Sequence, residues 1–341
     1  MPCRVRLRRS TELMQATGNM KKFLITGGAG FIGSHLAERL VGDGHEVFII
    51  DDLSTGQMAN IRPLKVNKRF HYHIESIANE PLMAELIDEV SVVYHLAAAV
   101  GVKRIIERPV QTIETNIHGT ELVLKHAAKK KKLVLLASSS EVYGKSAKVP
   151  FREDDDMVLG PTTKNRWSYA CSKAVDEFLA LSYHRERELP VIVARFFNIA
   201  GSRQVGDYGM VLPRFIGNAL RGRPLEVYGS GRQVRCFLDV SDLVDALVKL
   251  PATKRAVGRV FNIGSDEAVT INALAKLVRQ KVNPRVKIVH VPYEKAYEAG
   301  FEDLRVRVPD ISRIRKAIGF RPRYTLEQII DRIVEWKKAS E

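Results

Sequence analysis

Cysteine and tryptophan are scarce in this 341-residue chain, with three of the first and two of the second. Cys3, Cys171 and Cys236 are scattered, and no CxxC or Cys/His spacing accompanies them. That excludes a disulfide scaffold and a structural zinc site, and a reduced, cytoplasmic setting with no bound metal is expected. Long apolar runs are also missing. None approaches the roughly 20 residues of a membrane helix, and the start has no apolar core of a signal peptide. Low complexity and internal repeats are absent as well.

Acidic residues are outnumbered, 39 to 54 basic, giving a net charge of +15. An acidic partner is therefore expected, and a phosphorylated small molecule and a nucleic acid both qualify. The densest basic run, Lys129 to Lys132, follows a helical stretch and precedes the strand-like LVLLAS. Cations are favoured at a helix C-terminus, so this run reads as a solvated helix end, and nucleic-acid binding is not expected. Residues 1–19 carry Arg4, Arg6, Arg8 and Arg9 with no periodicity, and Met20 stands just before the first strand. A disordered basic tail, or a start codon placed too far upstream, is expected there.

Hydrophobic residues make up 45% of the chain, enough for one large core or two fused ones. Apolar strands alternate with amphipathic helices up to about Phe197: KFLIT, a helix from about Phe31 to Gly42, EVFII, FHYHI, SVVYHLA, a helix around Asn116 to Ala128, LVLLAS, a helix from about Ser168 to Arg185, and PVIVARF. This alternation predicts an α/β, doubly wound parallel sheet over 20–197. Beyond it, helices at Val211 to Leu220 and Ile271 to Val282 alternate with short strands. They predict a smaller α+β substrate-binding domain over 198–341, with a segment of about 234–265 returning to the large domain.

Gly27, Gly28, Gly30 and Gly33 lie between a strand and a helix. Glycines there let bare backbone approach a pyrophosphate resting on the helix N-terminus. Asp51 ends the second strand, 24 positions after Gly27 (51 − 27). Its carboxylate suits the hydroxyls of an adenosine ribose and repels a 2′-phosphate, so NAD is expected rather than NADP. Tyr169 and Lys173 stand at Y-x-x-x-K and share a helix face. A lysine beside a tyrosine favours the phenolate, which can act as a base toward a sugar hydroxyl. The strand 133–137 runs into Ser138, Ser139 and Ser140, which places all three hydroxyls at the carboxyl edge where ligands of such sheets sit.

TGGAGFIGSHL, DDLSTG, HLAA, SSSEVYG, YACSK and RFFNIAG together resemble the extended short-chain dehydrogenase/reductase family, specifically its NAD-dependent nucleotide-sugar epimerases, dehydratases and decarboxylases. The resemblance runs from about Lys21 to the C-terminus. It implies a Rossmann domain, tightly held NAD, transient oxidation of the sugar at C4, and a homodimer built on the helices at about Asn116 to Ala128 and Ser168 to Arg185. It implies catalytic roles for Ser139, Glu141, Tyr169 and Lys173. NAD contacts fall to Gly27, Gly30, Phe31, Ile32, Gly33, Asp51, Ile77, Leu96, Ala97 and Lys173. Ser139, Asn198, Arg235 and Arg307 are implied in substrate binding, the two arginines on the phosphates. Ser76 replaces the aspartate that usually precedes the residue at Ile77.

Three reactions can follow C4 oxidation. Glu141 sits where decarboxylases and dehydratases of the family carry a working glutamate, whereas the loop AAAVGVKRIIERP is more like that of the epimerases. The sequence reading sets UDP-hexose or UDP-hexuronate 4-epimerisation narrowly first, with UDP-glucuronate decarboxylation or 4,6-dehydration next. The segments GMVLPRF and PLEVYGSG resemble those that surround a uracil, which favours a UDP-sugar. A non-catalytic RNA-binding or regulatory relative is the remote alternative, since +15 suits RNA while the retained Tyr169 and Lys173 do not.

Overall fold

A computed structural model describes residues 20–99, 108–206, 210–293 and 304–340. The expected basic tail and most of the epimerase-like loop lie outside the described residues.

Seven parallel strands form the main sheet. In chain order they are β1 (Lys22–Thr26), β2 (Glu46–Ile50), β3 (Phe70–His73), β4 (Val92–His95), β5 (Leu133–Ser139), β6 (Val191–Phe196) and β11 (Arg259–Ile263). Their spatial order is 11-6-5-4-1-2-3, and every neighbouring pair is parallel. The chain reverses direction across the sheet between β1 and β4, and a crevice opens there at the carboxyl ends of the strands. Near-continuous apolar runs such as VVYH fit strands covered on both faces.

Helices cover those faces. Helix α1 (Phe31–Gly42) and α7 (Val240–Lys249) bury Leu36, Leu40, Leu243 and Leu247 on one side, with α9 (Ser312–Ile318) beside them. On the other side lie α3 (Glu80–Glu89), α4 (Pro109–Lys129) and α5 (Ser168–Arg187), burying Met83, Val123, Leu124 and Ala180. Between α1 and α3 the chain makes the single helical turn α2 (Met58–Ile61), followed at once by a 3-10 turn over Arg62–Leu64. Helix α4 begins seven residues before the predicted start (116 − 109). The polar stretch PVQTIETN hides its amphipathicity, but Pro109 in the first turn has the fixed φ that suits a helix start. The lysines after α4 are engaged locally: Lys130 pairs with Asp88 at 2.8 Å, and Lys132 Nζ donates to the Val90 carbonyl at 2.6 Å.

A smaller unit surrounds a separate core of Leu212, Phe215, Leu274, Val278, Ile329 and Ile330. It holds α6 (Val211–Leu220), α8 (Ile271–Val282) and α10 (Leu326–Ser340), with the pairs β8 (Leu225–Tyr228) to β13 (Ile288–Val291) and β9 (Val234–Cys236) to β12 (Ala268–Thr270). The Thr270 hydroxyl accepts from the Ala273 amide and so caps α8. Strand β9 stays with this unit. The chain rejoins the large one at β10 (Leu238–Asp239), which pairs with β7 (Ile199–Ala200), and continues through α7 to β11. No helix among the described residues is long and apolar enough to cross a membrane.

Candidate active site

A cleft of about 580 Å³ runs across the carboxyl edge of the sheet and into the smaller unit. Gly27, Gly30 and Asp51 line one end. Ser139, Glu141, Tyr169 and Lys173 line the middle, and Arg214, Tyr228 and Gln233 the other end. Every residue expected to bind cofactor or substrate, or to catalyse, borders this one cleft.

The glycine turn is held by close backbone approach. Gly27 has φ +72°, in the left-handed region that favours glycine. A side chain on Gly33 would put its Cβ 2.2 Å from the Gly27 carbonyl oxygen. Helix α1 therefore starts directly on β1, and its first turn carries no acidic side chain. The free amides of that turn, with the helix dipole, present a positive end to the cleft. Asp51 accepts from the Ala29 amide at 2.9 Å and the Leu53 amide at 2.8 Å. Burial pushes its carboxyl above the ordinary value, against the pull of those amides. These features fit the pyrophosphate and ribose of a dinucleotide.

Tyr169 and Lys173 lie one turn apart on α5, both buried. Burial pushes the phenol of Tyr169 up, while Lys173 and a hydrogen bond with Ser139 pull it back. Lys173 Nζ donates to Asp176 Oδ2 at 3.0 Å, inside the protein. Asn116 ties α4 to this helix: its amide nitrogen donates to Ser172 Oγ at 3.1 Å, and its oxygen accepts from the Ala99 amide at 2.8 Å.

The three serines divide their work: Ser138 and Ser139 border the cleft as expected, whereas Ser140, expected there too, does not. Ser138 donates to Glu177, whose carboxylate is clamped by Arg195. Ser140 accepts from Arg307. Only Ser139 turns toward Tyr169; its oxygen also accepts the Glu141 amide at 3.2 Å. The outcome depends on the turn after β5, because strand side chains alternate faces.

Glu141 is buried between two guanidinium groups. Arg307 Nη1 donates to its Oε1 at 2.7 Å, and Arg166 forms an ion pair with its Oε2. Burial alone would push this carboxyl up, but Arg166, Arg307 and Arg235 overcome that and hold it down to about 2. Arg307 thus stands in the middle of the cleft, on Glu141 and Ser140, beside Tyr169 and Ser139. Arg235 is nearby, donating to the Val234 and Leu304 carbonyls at 2.9 and 2.8 Å. Asn198 has φ +36° at the turn after β6, and its side chain donates to the Cys236 carbonyl at 3.0 Å. At the far end, the Arg214 guanidinium lies 3.9 Å from the centre of the Tyr228 ring.

Sequence reasoning missed Arg166, Asp176 and Asn116. The first two carried a usable signal: Arg166 precedes Tyr169 by three residues and Asp176 follows Lys173 by three, so both belong near the Y-x-x-x-K face. Nothing local marked Asn116.

Residues 24–333 match the family described as GDP-mannose 4,6 dehydratase. A UDP-N-acetyl-alpha-D-glucosaminuronate decarboxylase of Bacillus cytotoxicus is 43% identical, covering 93% of this chain and 97% of that protein. UDP-glucuronic acid decarboxylase 1 of Arabidopsis thaliana is 36% identical, over 92% of this chain and 69% of that one. Among solved structures, the UDP-glucuronic acid 4-epimerase of Bacillus cereus, in complex with UDP-glucuronic acid and NAD, superimposes with a TM-score of 0.84 at 27% identity, covering 94% and 100% of the two chains.

Proposed function

The chain belongs to the GDP-mannose 4,6-dehydratase family of NAD-dependent nucleotide-sugar enzymes, and from that premise we propose that it decarboxylates a UDP-hexuronate, the 2-acetamido sugar foremost. One observation carries the reading: the Arg166–Glu141–Arg307 cluster beside Tyr169 and Ser139. With Arg235, three guanidinium groups face one carboxylate there. A neutral hexose has no use for that positive excess, whereas the C6 carboxylate of a hexuronate does. A 4,6-dehydratase needs a base for the C5 proton, and a carboxylate whose charge is taken up by two guanidinium groups is a weakened one.

NAD, when bound, supplies a hydride acceptor at the sugar C4 and returns the hydride at the end. Gly27, Gly30 and Gly33 and the first amides of α1 would hold its pyrophosphate, and Asp51 its adenosine ribose. Tyr169 takes the O4 proton, with Ser139 hydrogen-bonded to the same oxygen. The resulting C4 ketone is β to the C6 carboxylate. The C5–C6 bond breaks, CO2 leaves, and the electron pair passes through C5 to O4. Protonated Tyr169 and Ser139 donate to that enolate oxygen. A proton then adds at C5, leaving a UDP-4-ketopentose, which becomes the UDP-pentose when C4 regains its hydride and Tyr169 returns a proton to O4. Glu141 keeps Arg166 and Arg307 in place to meet the incoming carboxylate. At the other end, Arg214, Tyr228 and Gln233 border the volume for the uracil.

Epimerisation of a UDP-hexuronate at C4, first in the sequence reading, uses the same cations and is the second reading. It is favoured by the likeness to the Bacillus cereus epimerase. The higher identity to a decarboxylase along nearly its whole length supports the first reading over it.

The test is Arg307→Leu. Losing a charge-assisted hydrogen bond of about 1.5–3 kcal/mol should weaken UDP-hexuronate binding roughly ten- to hundred-fold while UDP binds as before. Titration calorimetry with both ligands checks it. Equal losses for both would return Arg307 to the diphosphate and remove the argument for a uronate. A homodimer through α4 and α5 completes the proposal, because Val110, Ile113, Val175 and Phe178 are exposed on those helices. Light scattering at the mass of a single chain would end that part.

A further inference from the structure

Asp176 is a fully buried carboxylate to which the reaction above gives no task. It lies on α5, its Oδ2 accepting from Lys173 Nζ at 3.0 Å. Its Oδ1 has no close donor, so the interaction with the Thr120 hydroxyl on α4 is a longer one. Thr120 continues a line of buried polar groups. Its Oγ1 is 3.1 Å from His95 Nε2, and His95 Nδ1 is 2.8 Å from Thr26 Oγ1. Thr26 Oγ1 already accepts the Ala97 amide at 3.1 Å.

The direction is set from the far end, because the Asp176 carboxylate can only accept: the Nε2–H tautomer of His95 follows, and Thr26 gives its proton to Nδ1. His95 Nε2–H then donates to Thr120, whose own proton points to Asp176. This works only with a neutral imidazole. Burial, then the charge on Lys173, pushes His95 down to about 3, so it stays neutral. Hydrogen bonds therefore join Thr26, the last residue of β1 before the glycine turn, through His95 to Thr120, and a longer polar contact carries the line to the carboxylate on Lys173.

We propose that Asp176 is a positioning residue: it anchors the Lys173 ammonium and offsets part of its charge, and so sets the pH range in which Tyr169 works as a base. An unpaired ammonium beside a phenol strongly favours the phenolate, and a carboxylate on that ammonium weakens the effect. The other charged groups facing the pair are accounted for. Glu141, from the turn after β5, is paired with Arg166 and Arg307; Glu177, on α5, is paired with Arg195 of β6. Helix α4 contributes only the neutral Asn116 and Thr120. Asp176 is thus the carboxylate among these whose ion pair is with Lys173 itself. Its charge opposes phenolate formation and its loss removes that opposition.

The inference rests on Tyr169 being the base, which all three reactions of the family share, so it does not depend on which reaction follows. The experiment is Asp176→Asn in the full-length, NAD-loaded enzyme, read in two ways. The first is the pH profile of kcat/KM. The second is the tyrosinate absorbance of Tyr169, taken as the difference from a Tyr169→Phe background. Activity rises with pH as Tyr169 loses its proton, so a more acidic phenol moves the rising limb down. Both readouts should move down by about one pH unit, the lower range for a charge this close. Asp176→Glu, which restores the charge, should move them back. A lower kcat with both midpoints unmoved would make Asp176 merely structural and overturn the proposal. Should the Asn variant misfold, Asp176→Ser removes the same charge with less bulk and is read in the same way. Full activity in Tyr169→Phe would instead remove the premise and the proposed function with it.

Discussion

Tyr169→Phe should lose about a thousand-fold in kcat, within the range for removing a general base, while NAD and the UDP-sugar still bind. The phenol is buried, hydrogen-bonded to Ser139 and one helical turn from Lys173, which makes it the group placed to take the proton. The lost hydroxyl acts in the transition state for C4 oxidation and again on the enolate oxygen. The loss should therefore appear in kcat much more than in KM. Product identity should not change in the residual turnover, because the arginine cluster is untouched. Steady-state kinetics with single-turnover analysis checks this. A fall of less than ten-fold would mean that another group takes the O4 proton.

Gly33→Val carries the other large effect. Its Cβ would fall 2.2 Å from the Gly27 oxygen and 2.8 Å from Gly28 Cα, both backbone atoms of the phosphate turn. Neither can step aside without separating α1 from β1. NAD affinity should fall at least a hundred-fold, and overpacking should cost about 1–3 kcal/mol of stability. Gly42, at the other end of the same helix, has nothing within 4 Å of an added Cβ. Gly42→Ala should leave affinity unchanged and stability equal or slightly higher. Calorimetric NAD titration and thermal melts of the two variants form the comparison. Tight NAD binding by Gly33→Val would mean that the turn does not hold the pyrophosphate.

Legibility in the sequence follows the range of the interaction. Helices α6 and α8 were bounded to the residue and α1 closely, because each has a local amphipathic pattern. Asp51 and the glycines were legible because strand, turn, helix and acid follow one another within a short span. Tyr169 and Lys173 were legible because i and i+4 share a helix face. What escaped depends on distant segments. Glu141 and Arg307 are 166 positions apart, so the ion pair that fixes the character of Glu141 leaves no local trace. The sequence reads Glu141 as a working glutamate, and its pairing with Arg166 and Arg307 is what that reading lacks. Serine orientation escaped for a smaller reason, since one turn of backbone after β5 decides which hydroxyl meets Tyr169. Asp176 was adjacent to a recognised motif, but only its burial reveals that it answers Lys173.

The central claim is that the cations around Glu141 receive a hexuronate whose carboxylate is then lost. The most direct measurement offers purified, NAD-loaded protein UDP-N-acetylglucosaminuronate and UDP-glucuronate separately, and reads products by anion exchange with mass spectrometry. A product lighter by CO2, with the N-acetylated sugar turned over faster, is the expected result. A product of unchanged mass and altered retention, or one lighter by water, would contradict the claim, the first by making the enzyme an epimerase and the second a dehydratase.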